Sequence, residues 1–389
     1  MMQPFFNFAR IAASEVVPVL LSLLTKQDED APDDEYNLSR AAYQCLQLYA
    51  QAVGATIIAP VLQFVEENLR SEDWHNRDAA VSAFGAIMDG PDPKVLEPIV
   101  KQALPVLIDM LRDDSNVHVK DSTAFALGRI TEFCSESIDP QQHLDPLMQA
   151  LFSGLLANNR MAFSSCWTLM NVAERFGGDA SSQQNPLTSH FNQSVANLLD
   201  VTKRPDCDSA TRGAAYEVLN IFVRHAAMES MTAIVELSTV ILGRLEETIP
   251  LQTQVVSVED KIMLEEIMSS LCSVLQEVIQ KLGAEISSQG DRIMATLLHI
   301  LNSVSGKSSV PESVFACVSA LATAMEKDFV KYMDAFNPFL LNALANQEEP
   351  SLCSVAIGLV SDITRSTGEL SQPYCDQFMN YLLNNLRVR

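Results

Sequence analysis

A pattern that occurs twice constrains the fold of this chain more than any other feature. Residues 77–87 read RDAAVSAFGAI and residues 120–130 read KDSTAFALGRI, so the two copies begin 43 residues apart. Each copy has small residues at helical spacing and an apolar stripe that ends in isoleucine, which is typical of a helix packed closely against another helix. A unit of this length has room for two helices, so the repeat predicts an all-α chain of antiparallel helix pairs.

Other residues extend the period along the chain. The apolar helix predicted over Glu15–Leu24 has a proline in its first turn, where the missing N–H costs no hydrogen bond. Prolines that mark the first helix of each pair lie at Pro18, Pro60, Pro105 and Pro146, spaced 42, 45 and 41 residues apart. YMDAF at 332–336 returns as YCDQF at 374–378. A period of roughly 40–47 residues is typical of HEAT and armadillo-like helical repeats. We therefore expect one HEAT-repeat superhelical solenoid over 1–389, with about eight helix pairs and one extra helix.

Two polar segments interrupt this pattern. Residues 27–36 read QDEDAPDDEY and carry six acidic side chains with no basic one. This acidic insertion joins the helices of the first pair and is longer than a helical hairpin needs, which favours a functional segment over a merely solvated, self-repelling loop. Residues 177–186 read GGDASSQQNP and predict a mobile connector. Both ends of the sequence look like cuts through a longer solenoid.

The composition favours basic partners. The chain has 49 acidic and 26 basic residues, a net charge of −23. Such a charge argues against binding to nucleic acid or to an anionic membrane surface and favours Lys/Arg-rich ligands. We expect no apolar run of the length of a membrane span, so membrane insertion is not predicted. The eight scattered cysteines indicate a reducing compartment.

Acidic and aromatic residues recur on the predicted second helices of the pairs. They are Asp78, Asp121, Phe125 and Trp167, with Tyr36 and Trp74 near helix starts. If these helices line a concave wall, the surface suits a Lys/Arg-rich helix or peptide, bound by ion pairs and cation–π contacts. Two alternatives stay open: the aromatic residues are core residues, or the aspartates complement helix dipoles.

A second candidate surface lies between neighbouring first helices near the end of the chain. Its aromatic residues are Phe336, Phe339, Phe378 and Tyr381. Grooves between such helices would accept isolated aromatic side chains from a flexible partner. The alternative for each residue is a place in the shared core.

Catalytic motifs are not found. Gly306-Lys307-Ser308 resembles the end of a phosphate-binding loop, but the glycine that this motif requires is Leu301. Neither HExxH nor GxSxG occurs. We therefore expect a binding protein without catalytic residues, cofactor or metal.

Several long, ordered segments resemble a known family. Residues 72–91, 121–130 and 331–340, with the acidic insertion at 27–35, are similar to the central repeats of importin-β (karyopherin-β) nuclear import receptors. The resemblance spans essentially the whole chain. It implies a central fragment of a protein roughly twice as long.

The resemblance also implies partners and site residues. The expected partners are the importin-β-binding (IBB) segment of importin-α or other basic cargo, Ran-GTP, and FG-repeat nucleoporins. The expected location is cytoplasm, nucleus and the nuclear pore complex at the envelope. Family contacts to Ran and basic cargo would fall on Asp28, Glu29, Asp30, Asp33, Asp34 and Glu35. Concave-face tryptophans correspond to Trp167, with Tyr36 and Phe125 at matching positions. The alternative is a HEAT-repeat scaffold that positions a phosphatase or other enzyme, whose binding would depend little on salt.

Overall fold

The computed structural model describes residues 7–27, 37–179, 181–304 and 307–387. Over these ranges the chain is helical and contains no β-strand. The predictions for residues 28–36, namely Asp28, Glu29, Asp30, Asp33, Asp34, Glu35 and Tyr36, lie outside the described residues.

The described helices follow one another in pairs along the chain. They are α1 (Phe8–Leu24), α2 (Leu38–Val53), α3 (Ile58–Asn68), α4 (Trp74–Ala86), α5 (Pro93–Asp113), α6 (Val117–Phe133), α7 (Asp145–Leu155), α8 (Asn159–Phe176), α9 (Phe191–Val201), α10 (Ser209–Arg224), α11 (Met231–Leu251), α12 (Val258–Leu282), α13 (Gly290–Ser303), α14 (Val310–Met325), α15 (Met333–Ala345), α16 (Pro350–Thr367) and α17 (Gln372–Arg387). Short 3₁₀ segments join several of them.

The helices belong to two compact units. The N-terminal unit comprises Met1–Gly178 with Asn185–Val218, and the C-terminal unit comprises Asp179–Gln184 with Leu219–Arg389. In the N-terminal unit α1, α3, α5 and α7 form one layer, and α2, α4, α6 and α8 form a second layer against it. In the C-terminal unit α11, α13, α15 and α17 form the first layer, and α12, α14 and α16 form the second. The predicted all-α architecture of HEAT-type helix pairs is confirmed.

Small residues bring the second-layer helices of the N-terminal unit close together. A Cβ atom on Gly85 of α4 would lie 3.2 Å from Cα and Cβ of Ala126 in α6. Ala79, Ala80, Ala83 and Ala86 on the same helix are fully buried. The repeated stretch therefore packs as its small residues predicted, with helix backbone against helix backbone.

Prolines mark first-layer helices, but two of them do not mark helix starts. Pro60 and Pro146 lie in the first turns of α3 and α7, whereas Pro18 and Pro105 lie inside α1 and α5. The predicted start at Glu15 is therefore wrong, because α1 begins at Phe8. In α5 the start is set by Asp92, whose side chain accepts a hydrogen bond from the Lys94 N–H, with Pro93 following it.

One stretch is apolar and long enough to cross a membrane by length and composition alone, so the expectation that none exists is wrong. It is Leu38–Asn68, and only 33% of its most apolar window is buried within the protein. The structure does not form it as one continuous α-helix. α2 ends at Val53, and Gly54, with φ of +61°, begins a 3₁₀ turn before α3.

The connector around residue 180 makes hydrogen bonds within each unit. In the C-terminal unit, the N–H groups of Met228 and Glu229 donate to the carbonyls of Ser182 and Gln183 at 3.0 and 3.2 Å. In the N-terminal unit, the Asn185 amide donates to the carbonyl of Gly177 at 2.6 Å. Mobility of residues 177–186 stays a prediction, as does the single solenoid over 1–389.

Candidate peptide-binding groove

A groove of about 310 Å³ opens on the second-layer helices of the N-terminal unit. We call it the acidic-aromatic groove. Its lining comes from α2, α4, α6 and α8, with Gln27 after α1 and Asn37 before α2, and includes Arg40, Tyr43, Gln44, Trp74, Asp78, His118, Asp121, Ser122, Phe125, Arg160 and Ser164. Four residues predicted from the sequence, Trp74, Asp78, Asp121 and Phe125, therefore lie together. Their role in binding stays a prediction.

Aromatic rings form two stacked groups at this groove. Trp74 stacks on His75 and on His118, with ring centroids 3.9 and 5.1 Å apart, and Phe125 stacks on Trp167 at 4.5 Å. Tyr43 of α2 meets Phe125 edge-on at 6.0 Å. Trp167 thus joins the predicted set through Phe125, which is 36% exposed. Ring faces that remain accessible attract ammonium and guanidinium groups.

The two predicted aspartates do not complement the helix dipole at helix starts. Asp78 and Asp121 are each the fifth residue of their helix, and the N-caps are Asp73 and Asn116, whose side chains accept hydrogen bonds from the N–H groups of His75 and His118. Both aspartates instead face the layer in which α4, α6 and α8 pack. The alternative that these aspartates complement helix dipoles does not fit their positions.

Asp121 is already paired within the chain. Its carboxylate accepts from Arg160 Nε at 2.6 Å and from Ser164 Oγ at 2.5 Å. Arg160 Nη1 also lies 3.3 Å from His118 Nδ1. Because an internal guanidinium neutralises Asp121, this residue is not the free carboxylate that the sequence pattern implied.

Asp78 has a different environment. It is 6% exposed, and Oδ2 accepts a hydrogen bond from Gln27 Nε2 at 2.8 Å. Oδ1 has no hydrogen-bond partner in the described part of the chain. Burial raises the pKa of Asp78 above its ordinary value, and the nearby Ser122 hydroxyl, the Gln27 amide and the charge of Arg160 offset part of that rise. Asp78 is therefore the carboxylate with unmet hydrogen-bonding capacity in this groove.

Several groove residues escaped the sequence reasoning. Tyr43, His118 and Arg160 carry no motif, and Gln27 was included only as the first residue of the acidic insertion. Ser164 lies one period after Asp121, which could have pointed to it. Burial raises the pKa of Tyr43 to about 12, although the Arg129 charge opposes that rise. Because Arg160 contacts Asp121 from the next helix pair, only the stacking of repeats brings these groups together.

The aromatic residues proposed for grooves between first helices divide into two kinds. Phe336 and Phe378 are 0% and 2% exposed, so their assignment to outward grooves is wrong. Phe336 packs edge-on against Phe315 at 5.4 Å, and Phe378 stacks on Tyr374 at 6.4 Å, which makes both part of the C-terminal core. Phe339 of α15 and Tyr381 of α17 are half-buried and keep some accessible surface.

Family comparisons agree with this architecture. The family described as "Importin subunit beta-1-like, TPR repeats" matches residues 146–389, and a "HEAT-like repeat" family matches residues 74–130. Importin subunit beta-1 of Schizosaccharomyces pombe is 41% identical over 381 residues, which cover 98% of this chain and 44% of that protein.

Solved structures of importin β match over the entire chain. A crystal structure of importin beta in an ammonium sulfate condition superposes with a TM-score of 0.96 at 69% identity, covering 100% of this chain and 45% of that one. Yeast Kap95p matches in a RanGDP study and in a Kap95:Nup1 complex, with TM-scores of 0.87 at 35% and 34% identity, covering 100% of this chain and 44% of each. In the former, Kap95p binding is described as inducing the switch loops of RanGDP to adopt the GTP-bound conformation.

The chain thus spans less than half the length of the relatives that it matches. These matches confirm the resemblance that the sequence predicted and the prediction that the chain is not an enzyme. The family model alone covers residues 146–389, more than half of the sequence. The chain belongs to the importin subunit beta-1-like family.

Proposed function

We propose that this chain acts in a nuclear import receptor and binds Lys/Arg-rich cargo, such as the IBB segment of importin-α, in the acidic-aromatic groove. The observation that carries the proposal is the meeting of two stacked aromatic groups and the incompletely paired Asp78 carboxylate in one groove. Cations bind well where a ring face and a carboxylate are both within reach. The net charge of −23 attracts such a ligand from a distance and speeds its association.

The acidic insertion at 28–35 is proposed to contact both basic cargo and Ran-GTP. The Kap95p relative studied with RanGDP supports a Ran partner. If cargo and Ran-GTP favour different conformations of the chain, each lowers the affinity for the other by the same factor. This reciprocity is how cargo would be released.

Nucleoporins are proposed as a third class of partner. The Kap95:Nup1 complex supports this assignment. In this chain Phe339 and Tyr381 are the remaining candidates for contact with phenylalanine side chains of FG repeats, because Phe336 and Phe378 are buried. The resulting location is the cytoplasm, the nucleus and the pore complex.

The test of cargo binding is a titration of the full chain with an IBB peptide at about 0.1 M and about 1 M salt, between which the screening length falls from about 10 Å to about 3 Å. We expect binding to weaken strongly at high salt. A variant with Asp28, Asp30, Asp33 and Asp34 changed to Asn should bind roughly thirtyfold more weakly at low salt, from about 0.5 kcal/mol for each exposed charge.

A second quadruple variant controls for net charge. Glu66, Glu67, Asp109 and Asp113 are exposed on first-layer helices α3 and α5, and their change to Gln or Asn removes the same charge away from the groove. It should weaken binding much less. An equal loss of affinity in both variants would mean that only net charge matters. Binding that changes neither with salt nor in either variant would favour a scaffold that positions an enzyme.

A further inference from the structure

The side chain of Gln27 lies over the buried Asp78 carboxylate. Gln27 Nε2 donates to Asp78 Oδ2 at 2.8 Å and to the carbonyl oxygen of His75 at 3.0 Å. Gln27 precedes α2, whereas His75 and Asp78 belong to α4, so the contact joins two different helix pairs. A neutral amide thus occupies a position that faces a carboxylate and a carbonyl.

The amide satisfies this position incompletely. A carboxamide supplies two N–H donors and brings one carbonyl acceptor. Both donors are used, yet Asp78 Oδ1 and Gln27 Oε1 are buried without a hydrogen-bond partner among the residues that the structure describes. The Ser122 hydroxyl lies close enough to lower the pKa of the carboxyl group, yet Oδ1 has no hydrogen-bond partner among the described residues. Unpaired buried acceptors of this kind cost free energy.

An ammonium group matches the same position better. It carries three N–H donors and no acceptor, and it would meet Asp78 Oδ1, Asp78 Oδ2 and the His75 carbonyl. It also brings a positive charge to a carboxylate that lacks a cationic hydrogen-bond partner in the described ranges. Arg160, whose charge lowers the pKa of Asp78, donates a hydrogen bond from Nε to Asp121.

We propose that Asp78 and the His75 carbonyl form a subsite for one lysine ammonium group of a basic peptide, and that Gln27 fills this subsite as a removable neutral substitute in the free protein. This inference rests on the proposed binding of basic cargo and assigns one residue of that cargo to one place. Trp74, which lines the same groove and is partly exposed, offers apolar surface along which the aliphatic part of the lysine can pack.

Because Gln27 competes with lysine for the subsite, its truncation should change the affinity for lysine in the direction opposite to truncation of a residue that supports the groove. A residue that only supports the groove weakens binding when it is truncated. Gln27 must leave the subsite before lysine enters, so its truncation removes two hydrogen bonds that binding would otherwise break. The subsite should also prefer lysine to arginine. It offers three clustered acceptor atoms, which match the three N–H donors of an ammonium group, whereas a planar guanidinium group has five donors to satisfy.

The experiment measures binding of octalysine and octaarginine to the full chain by calorimetry at low salt. Gln27→Ala should tighten octalysine binding by about threefold to tenfold, and should tighten octaarginine binding less. Asp78→Asn should weaken octalysine binding by at least about tenfold. Gln102→Ala is the matched control, because Gln102 is exposed on the first-layer helix α5 and is not part of the groove lining, and it should change neither affinity.

Thermal unfolding tests whether each variant is folded. If Asp78→Asn is unfolded, the result for Gln27→Ala still tests the proposed subsite. Unchanged or weaker octalysine binding by Gln27→Ala would overturn the placeholder role while leaving cargo binding intact. An equal gain for both peptides would overturn the preference for ammonium. If the unaltered chain binds neither peptide, the proposed function and this subsite both fail.

Discussion

Gly128 is the residue that allows the Trp167 ring to lie against α6. A Cβ atom there would lie 2.2 Å from Cζ3 of Trp167 and 2.8 Å from Oγ1 of Thr168. The stacking of Trp167 on Phe125 therefore depends on a missing methyl group in the neighbouring helix.

Gly128→Ala should destabilise the chain by about 1–3 kcal/mol, because overpacking forces the ring or the helix to move. It should also shift the emission of Trp167, measured in a Trp74→Phe background, and weaken IBB binding. The control is Gly213→Ala in α10, where nothing lies within 4 Å of the added Cβ atom and helix propensity should stabilise the chain by up to about 1 kcal/mol. Urea unfolding measures both changes. Equal stabilities for the two variants would contradict the close approach of α6 and α8.

The protonation of Asp78 should couple cargo binding to pH. Its pKa in the free protein is raised by burial, and a bound cation would lower it, so binding releases a proton in the interval between the two values. Affinity for octalysine should therefore fall as pH decreases through the raised pKa of the free protein. The comparison is with Asp78→Asn, whose affinity should lack this component. Parallel pH profiles for the two proteins would show that Asp78 does not meet the cation.

The sequence located the groove residues better than it described their chemistry. Asp78 and Asp121 are equivalent by the repeat, yet Arg160 neutralises only one of them. Phe336 and Phe339 lie one helical turn apart on α15, and both are apolar, so the pattern could not decide which one faces the core. Such outcomes depend on residues of the next helix pair, whose side-chain directions the period does not encode.

At the scale of the helices, a buried ion pair ties α4 to the end of α5. Arg77 donates from Nε and Nη2 to both carboxylate oxygens of Asp114, at 2.8 and 2.9 Å, and both side chains are largely buried. Burial alone would raise the pKa of Asp114, but hydrogen bonds from Arg77 and the Asn116 N–H outweigh it and hold the pKa below its ordinary value. The pair therefore helps to fix the position of α4, which carries Trp74 and Asp78.

Asp114→Asn should cost about 3 kcal/mol, because it leaves the Arg77 guanidinium largely buried without its counter-charge. In the unaltered chain the contribution of Asp114 is present above its ordinary pKa and is lost as pH falls through its depressed pKa, so the two proteins should converge in stability at low pH. Glu97→Gln, which breaks the exposed Lys101–Glu97 pair, is the control and should cost at most about 0.5 kcal/mol. A stability difference for Asp114→Asn that does not change with pH would contradict this account.

Helix identities followed from the sequence more closely than helix starts did. The repeated stretches at 77–87 and 120–130 predicted two helices, and the structure forms α4 and α6 there. The start of α1 was misplaced because proline is common in a first turn but is tolerated further along a helix at the loss of one hydrogen bond. The caps Asp92 and Asn116 decide where α5 and α6 begin.

On the scale of the whole molecule, the repeat period explains why a chain of this length needs no single central core. Within each compact unit, helix pairs bury their apolar faces against their neighbours along the chain, so stability there is close to a sum of local terms. The C-terminal unit shows this arrangement around Phe336, which packs on Phe315 of α14. The expected consequence is that damage to one part of the chain stays local.

Hydrogen exchange can test this locality with Phe336→Ala. The substitution should cost about 3–5 kcal/mol within the C-terminal unit, because it leaves a cavity where a fully buried ring packed. Amides of α14 and α15 should lose protection, whereas those of α4, α6 and α8 should keep theirs. Phe339→Ala is the matched control on the same helix, and it should cause a smaller loss because Phe339 is only half-buried. A uniform loss of protection across both units would mean that the chain unfolds as one cooperative body, and the nearest-neighbour account of this fold would then be wrong.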